Sequence, residues 1–369
     1  MKLRILLWTF LGISIIGCST DENINVIPEQ VQKASFKVVG EDASVVYLYS
    51  FDGAEQTSST DNLTEEIGIL PDYLTLRQLD GLLSFYTFFQ GSFSLKQKDI
   101  NTGASSSFDE FYANGPDRSV AWGTNTTNSV YFGYFTSGNS RNLAIQNVAL
   151  SSTDSEDFII DFNVNRLFQP IQYDEKLFLT YLDNQGNYKL TFFDTALKIQ
   201  GPIVNFSAIP ISILIDEFGD LAVVKNGVDA TLESYSSTSL SFLNTTPLNF
   251  NSALDAGPVN GAVIANDKFY YARPFVQPAE FSAGPAVFNL NSQESMPIDL
   301  PAIVNQVEEE LDAPIGITTQ RFSKLNNVFL VAYAVLSNEV KGGVMQIAPD
   351  GRLIANDTFP FQPTYILED

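Results

Sequence analysis

Asn128-Ser129-Val130-Tyr131-Phe132-Gly133-Tyr134 is a polar turn followed by alternating apolar and aromatic residues. That is the pattern of a half-buried strand entered through a hairpin. It recurs in Asp80-Gly81-Leu82-Leu83-Ser84-Phe85-Tyr86, Glu175-Lys176-Leu177-Phe178-Leu179-Thr180-Tyr181 and Gly219-Asp220-Leu221-Ala222-Val223-Val224. Two further copies are Asp267-Lys268-Phe269-Tyr270-Tyr271 and Asn326-Asn327-Val328-Phe329-Leu330-Val331-Ala332-Tyr333. Aligned on Leu82, Val130, Leu177, Leu221, Phe269 and Val328, the copies are 48, 47, 44, 48 and 59 residues apart. A period of this size marks a propeller or a repeat array.

Each copy is followed, 11 to 18 residues on, by a second strand-like stretch beginning at Leu95, Leu143, Leu190, Leu232, Val287 or Val344. A third apolar cluster follows in several units, as in Phe158-Ile159-Ile160-Asp161-Phe162, Pro202-Ile203-Val204-Asn205-Phe206 and Pro247-Leu248-Asn249-Phe250. A short entry strand precedes the copy, as in Leu74-Thr75-Leu76-Arg77, Ser119-Val120-Ala121-Trp122 and Ile211-Ser212-Ile213-Leu214-Ile215. Four short strands per unit make the blade of a β-propeller, and the expected fold class is therefore all-β. The turns agree: Asp183-Asn184-Gln185-Gly186-Asn187 and Pro349-Asp350-Gly351-Arg352 supply residues that tolerate positive φ.

Ring closure is legible at the ends. Phe361-Gln362-Pro363-Thr364-Tyr365 echoes Phe168-Gln169-Pro170-Ile171-Gln172 at the entry of the third unit, and so begins a blade it does not finish. Residues 35–39, 45–51 and 67–70 are the expected other three strands of that shared blade. The count is then seven blades; six, with the N-terminal strands placed elsewhere, is the alternative. Inside the longest step, Pro301-Ala302-Ile303-Val304-Asn305-Gln306-Val307-Glu308-Glu309-Glu310-Leu311 has helical spacing after a proline and predicts a short helix. Arg273-Pro274-Phe275-Val276-Gln277-Pro278-Ala279-Glu280-Phe281 is expected to be an elaborated connector, with a binding loop as the alternative.

Composition restricts the chemistry. Lys and Arg total 20 against 43 Asp and Glu, a net charge of −23 that repels a phosphate backbone and makes nucleic acid an improbable partner. There is no histidine, and Cys18 is the one cysteine. That removes Ser-His-Asp and Cys-His nucleophile systems, His-containing zinc sites, haem ligation by His or Cys, and an internal disulfide. No cofactor is implied. Any chemistry would rest on Asp/Glu pairs, Tyr, Lys or an oxygen-ligated ion.

The N-terminus carries an address. A basic Met1-Lys2-Leu3-Arg4 start, an apolar run from Ile5 to Ile16 and the sequence Ile15-Ile16-Gly17-Cys18 form a lipoprotein signal, too short to be a membrane span. Cleavage before Cys18 exposes its sulfur and new amino group to acylation. Each buried CH₂ of the acyl chains then contributes about 0.8 kcal/mol of anchoring to outer-membrane lipid. Cys18-Ser19-Thr20-Asp21-Glu22-Asn23 resembles the acidic tether signal of Bacteroidota lipoproteins, in which Ser and Asp/Glu behind the acylated cysteine direct display on the outer face of the outer membrane. Ser19, Asp21 and Glu22 carry that resemblance, although Thr20 interrupts the usual run. The expected divisions are 1–17 signal peptide, 18–34 acylated tether and 35–369 propeller. Cell-surface display is expected, with the periplasmic face as the alternative.

Other candidate residues read as structure. Phe85, Phe88 and Phe93, and Tyr131 with Phe135, are expected to pack between blades. Asp154-Ser155-Glu156-Asp157 and Asp216-Glu217-Phe218-Gly219-Asp220 lack the ligand spacing of a calcium loop; the second is expected to be a hairpin and no metal site is assigned. Asp194-Thr195-Ala196 resembles the Asp-Ser/Thr-small motif O-glycosylated in exported Bacteroidota proteins, which makes Thr195 a glycosylation candidate, though a turn explains it equally well.

Signal, tether and blade repeat together resemble the propeller lipoproteins of Bacteroidota. Several of those are encoded beside TonB-dependent outer-membrane transporters and capture ligands for them. The resemblance implies a non-enzymatic binding or accessory module, acting alone or with an integral transporter. The alternatives are a glycan-active enzyme using paired carboxylates and a structural or adhesive subunit of a surface complex.

Overall fold

The computed structural model describes residues 32–137, 141–250 and 252–368. Lys33–Asp369 form one compact unit. Cys18, Ser19, Asp21 and Glu22 lie outside the described residues. The unit is a seven-bladed β-propeller, as the repeat predicts.

Blade 1 is shared between the ends. Its inner strand is Gln362–Ile366, followed outward by Phe36–Glu41, Val46–Asp52 and Thr57–Asn62. Val38 faces Ile366 and Glu41 faces Gln362 in an antiparallel ladder that joins the two ends of the ring. The first two N-terminal strands fall where expected, but the outermost does not. Residues 67–70 hold the end of a helix and the loop after it. Helix α1, Leu63–Ile67, starts where the Asn62 side chain accepts the Glu65 N–H at 3.0 Å and stops at Gly68, φ 69°. The true edge, Thr57–Asn62, is polar and largely exposed, so it carries no apolar alternation to betray it.

Blades 2 to 7 follow in chain order, with inner strands starting at Thr75, Arg118, Val164, Ile211, Val263 and Ile315. Two-residue turns join strands where both central residues have positive φ, as at Asn266 and Asp267 (52° and 56°). In the predicted Asp183 turn, Asp183 Oδ1 accepts the Gln185 and Asn187 N–H groups at 2.9 Å, and Gly186 sits at φ 84°. The outer strand of blade 5 is Phe242–Pro247, upstream of the expected position; the buried Leu248 adds one more bond, from its N–H to the Ala230 carbonyl at 2.8 Å.

Among the described residues seven apolar clusters account for the ring, one between each pair of neighbouring blades. Between blades 1 and 2, for example, Val39, Leu48 and Ile69 meet Leu76, Leu83 and Phe85. Tyr86, Phe93 and Leu95 of blade 2 meet Phe132 and Val148 of blade 3. Between blades 7 and 1, Leu330, Val344 and Phe359 meet Phe36, Val38, Phe361 and Ile366. The strand alternation sends odd and even residues to opposite neighbours, so every blade is buried on both faces. The expected aromatic packing holds for Phe85, Phe93, Tyr131 and Phe135; Phe88 touches Phe93 at 4.6 Å between centroids but stays 43% exposed.

Two insertions break the repeat. Helix α2, Leu300–Leu311, lies where the proline-led spacing placed it; Asp299 caps it, and Leu300, Ile303, Val304 and Val307 join the cluster between blades 6 and 7. The second was not anticipated. Gly257–Pro258 pairs in parallel with the inner strand of blade 5, inside the four-stranded sheet, and so lies on the channel side.

Candidate functional site

The inner strands surround a channel crossed by polar contacts. Arg77 of blade 2 donates Nε to the Gly123 carbonyl of blade 3 at 3.1 Å and Nη2 to Gln169 Oε1 of blade 4. Arg321 of blade 7 pairs with Glu368 at 3.0 Å. The Glu368 backbone exchanges two hydrogen bonds with the Gln78 amide, which fastens the end of the described chain to blade 2. Burial pushes the Tyr365 phenol up, and Arg321 and Arg77 nearby oppose that rise.

At the end of the ring where the inner strands begin, blades 4, 5 and 6 leave a cleft of about 680 Å³. Its polar lining is Arg166, Gln169, Asp255, Asn260 and Ser282; Leu167, Phe168, Leu254, Pro258, Val259, Pro274 and several alanines supply the apolar wall. Local sequence explains each wall. Pro170 falls in a gap between Val164–Leu167 and Ile171–Tyr173, so the inner strand of blade 4 is interrupted: Phe168 still donates its N–H to the Thr180 carbonyl at 3.1 Å, and Gln169 sits outside the ladder. Gly257 has φ 106°, and a Cβ there would lie 2.9 Å from the Phe168 Cβ; both conditions require glycine.

The inserted wall is tied down. The fully buried Ser212 donates to the Asp255 carbonyl at 2.7 Å and accepts from Asn226 Nδ2 at 2.8 Å, while the Val259 N–H donates to the Ile213 carbonyl at 2.9 Å. These bonds hold the backbone and leave the Asp255 and Asn260 side chains exposed. Arg166 is exposed opposite them, its guanidinium 5.0 Å from the Phe168 ring centroid.

Arg166 is the one arginine in the cleft lining among the described residues. Of the seven described arginines, Arg118, Arg321 and Arg352 meet a carboxylate within 4.0 Å. Among the described residues Arg77, Arg141, Arg166 and Arg273 do not. Arg77 and Arg166 are on channel-lining strands. Arg141 donates to the Asn165 carbonyl beside Arg166, and Arg273 lies between the cleft residues Ala272 and Pro274.

The residues singled out in the sequence lie elsewhere. Thr195 occupies a turn: its hydroxyl donates to the Glu175 carbonyl at 2.8 Å, and Asp194 accepts the Ala196 and Leu197 N–H groups. Glu156 pairs with Lys198, whereas Asp157 pairs with Arg118 and accepts from Tyr134, so neighbouring carboxylates are engaged in different places. Asp216 accepts the Phe218 and Asp220 N–H groups, the hairpin expected. In the proline-aromatic connector, Phe275 and Phe281 pack with helix α2 while Val276 is 92% exposed. The sequence reading missed Arg166, Asp255 and Asn260. For Asp255 and Asn260 the one signal was residues 252–260, which fit no strand of the four-strand spacing; Arg166 carried none.

No family model matches the chain, and no curated protein matches it. Among solved structures, a puromycin hydrolase S511A mutant is 12% identical, covers 89% of this chain and 55% of its own, and has a TM-score of 0.50. A structure from a study of two prolyl endopeptidases is 11% identical over 88% of this chain and 50% of its own, with a TM-score of 0.50. TolB from Acinetobacter baumannii is 14% identical over 90% of this chain and 80% of its own, with a TM-score of 0.42. The chain spans about half the length of the puromycin hydrolase and of the prolyl endopeptidase structure. These likenesses are of the propeller fold alone.

Proposed function

We propose that this protein is a lipid-anchored propeller of the bacterial outer membrane, displayed on the cell surface, that binds a ligand at the channel-mouth cleft without converting it. It acts alone or beside an integral TonB-dependent transporter. The cleft carries this reading: three blades build it, hydrogen bonds fix its wall, and Arg166, without an ion pair among the described residues, lines it in a protein of net charge −23.

A docking subunit of a surface assembly is the second reading. Connections on the cleft side expose Leu74, Phe89, Phe162, Val276 and Leu336, all at 60% or more. Three measurements test the proposal. Labelling with an alkynyl fatty acid should mark wild type but not Cys18→Ala. Proteinase K should remove the protein from intact cells, and Asp21→Ala with Glu22→Ala should protect it. Pull-down from detergent-solubilised outer membrane should recover an integral partner if a transporter is involved. Unchanged labelling of Cys18→Ala, or protease resistance of the wild type beside an intact periplasmic control, removes the anchored-display reading.

A further inference from the structure

Resting on the reading of the cleft as a binding site, we propose that its ligand is a short zwitterionic peptide. The carboxylate would meet Arg166 and the ammonium Asp255. Both charged groups are exposed in one cleft, and neither has an ion pair among the described residues. They do not satisfy each other, since no Arg166 nitrogen lies within 4.0 Å of an Asp255 oxygen. A simple anion is repelled by Asp255 and by the overall charge of −23. A simple cation is drawn by the overall charge but meets Arg166 in the cleft and leaves that group without a partner. A ligand with separated charges of both signs uses each group once.

The rest of the lining fits a peptide between those charges. Asn260 offers an amide, and Gln169 keeps its NH₂ group because Arg77 occupies only its oxygen. Pro258 and Pro274 present apolar surface without backbone donors, which suits small aliphatic side chains. The volume of about 680 Å³ lies within the range of pockets that take molecules of this size. The inserted segment is already fixed by the Ser212 bond to the Asp255 carbonyl, so binding orders little additional backbone.

The test is calorimetric titration of the full chain with tri-alanine, its N-acetyl form, its C-terminal amide and the doubly blocked peptide. Tri-alanine should bind wild type, and each single block should weaken binding about tenfold, the scale of one charge-assisted hydrogen bond. Arg166→Gln should bind tri-alanine and its amide equally, and Asp255→Asn should bind tri-alanine and its N-acetyl form equally. Absence of tri-alanine binding at millimolar concentration overturns the inference, as does wild-type indifference to both blocks. If either variant fails to fold, the four ligands on wild type still decide. Pull-down of an outer-membrane partner by a protein that ignores all four peptides would overturn the peptide assignment while leaving the surface-binding function in place.

Discussion

Replacing Phe361 with alanine should destabilise the whole ring. Phe361 is 1% exposed at the start of the closing strand, stacked on Tyr47 and Phe359 with centroid separations of 5.0 and 5.2 Å. It also lies so close over Gly40 that a Cβ at that position would run into its ring. Truncating a buried Phe to Ala costs about 3–5 kcal/mol, a large fraction of the 5–15 kcal/mol that holds a typical domain. For a ring of this size that corresponds to a fall in melting temperature of about 4–7 °C. Thr364→Ala, exposed on the same strand, gives up only its hydrogen bonds to the Val39 carbonyl and the Glu41 carboxyl and should cost less, about 0.5–1.5 kcal/mol. Deleting residues 360–369 removes buried Phe361, Ile366 and Leu367 together, at about 1.5–3 kcal/mol each, and strips the partner strand from Phe36–Glu41. That variant should not fold. Urea and thermal unfolding followed by circular dichroism measure these differences. A cost for Phe361→Ala no larger than that of Thr364→Ala would mean that the terminal strand does not close the ring.

Three further outcomes are expected. Gly133→Ala should lose about 1–3 kcal/mol in urea unfolding, because a Cβ there collides with the Trp122 indole on the adjacent strand. Gln346→Ala should cost about 1–3 kcal/mol: the fully buried amide accepts from the Ala34 N–H at 2.6 Å and donates to the Ala34 carbonyl at 3.3 Å, and alanine leaves both backbone groups unpaired. Glu41→Gln should raise the melting temperature at pH 7. Burial pushes the Glu41 carboxyl above its ordinary value despite hydrogen bonds from Thr364 and Tyr73, so the folded state favours the protonated form. The wild type is then relatively more stable in acid and loses that advantage as pH rises through the folded pKa; the difference between the two proteins should therefore vanish below about pH 4.

Most of the architecture is legible in the amino-acid sequence. The recurrence of Leu82, Val130, Leu177, Leu221, Phe269 and Val328 reflects a physical constraint repeated around the ring, since each blade needs one central strand apolar on both faces. The echo of Phe168-Gln169-Pro170 in Phe361-Gln362-Pro363 reported the closing strand, because both segments enter a blade from its inner edge. Thr57–Asn62 was missed for the converse reason: an outermost strand exposed to water owes its place to backbone pairing, and pairing leaves no apolar period in the side chains.

The cleft belongs to tertiary structure. Arg166, Asp255 and Pro274 are far apart in sequence, and no local pattern links them; ring closure brings blades 4, 5 and 6 to one mouth. The strand period also separates what the sequence places together. Glu156 and Asp157 are adjacent but point to opposite faces, one to Lys198 and the other to Arg118. The sequence by itself determined the blade, its repetition and the ends that complete the ring, because those follow from local alternation and turn chemistry. Only the folded ring decided which charges share a cavity and which are neutralised by a neighbour, because that depends on contacts between blades that local spacing does not encode.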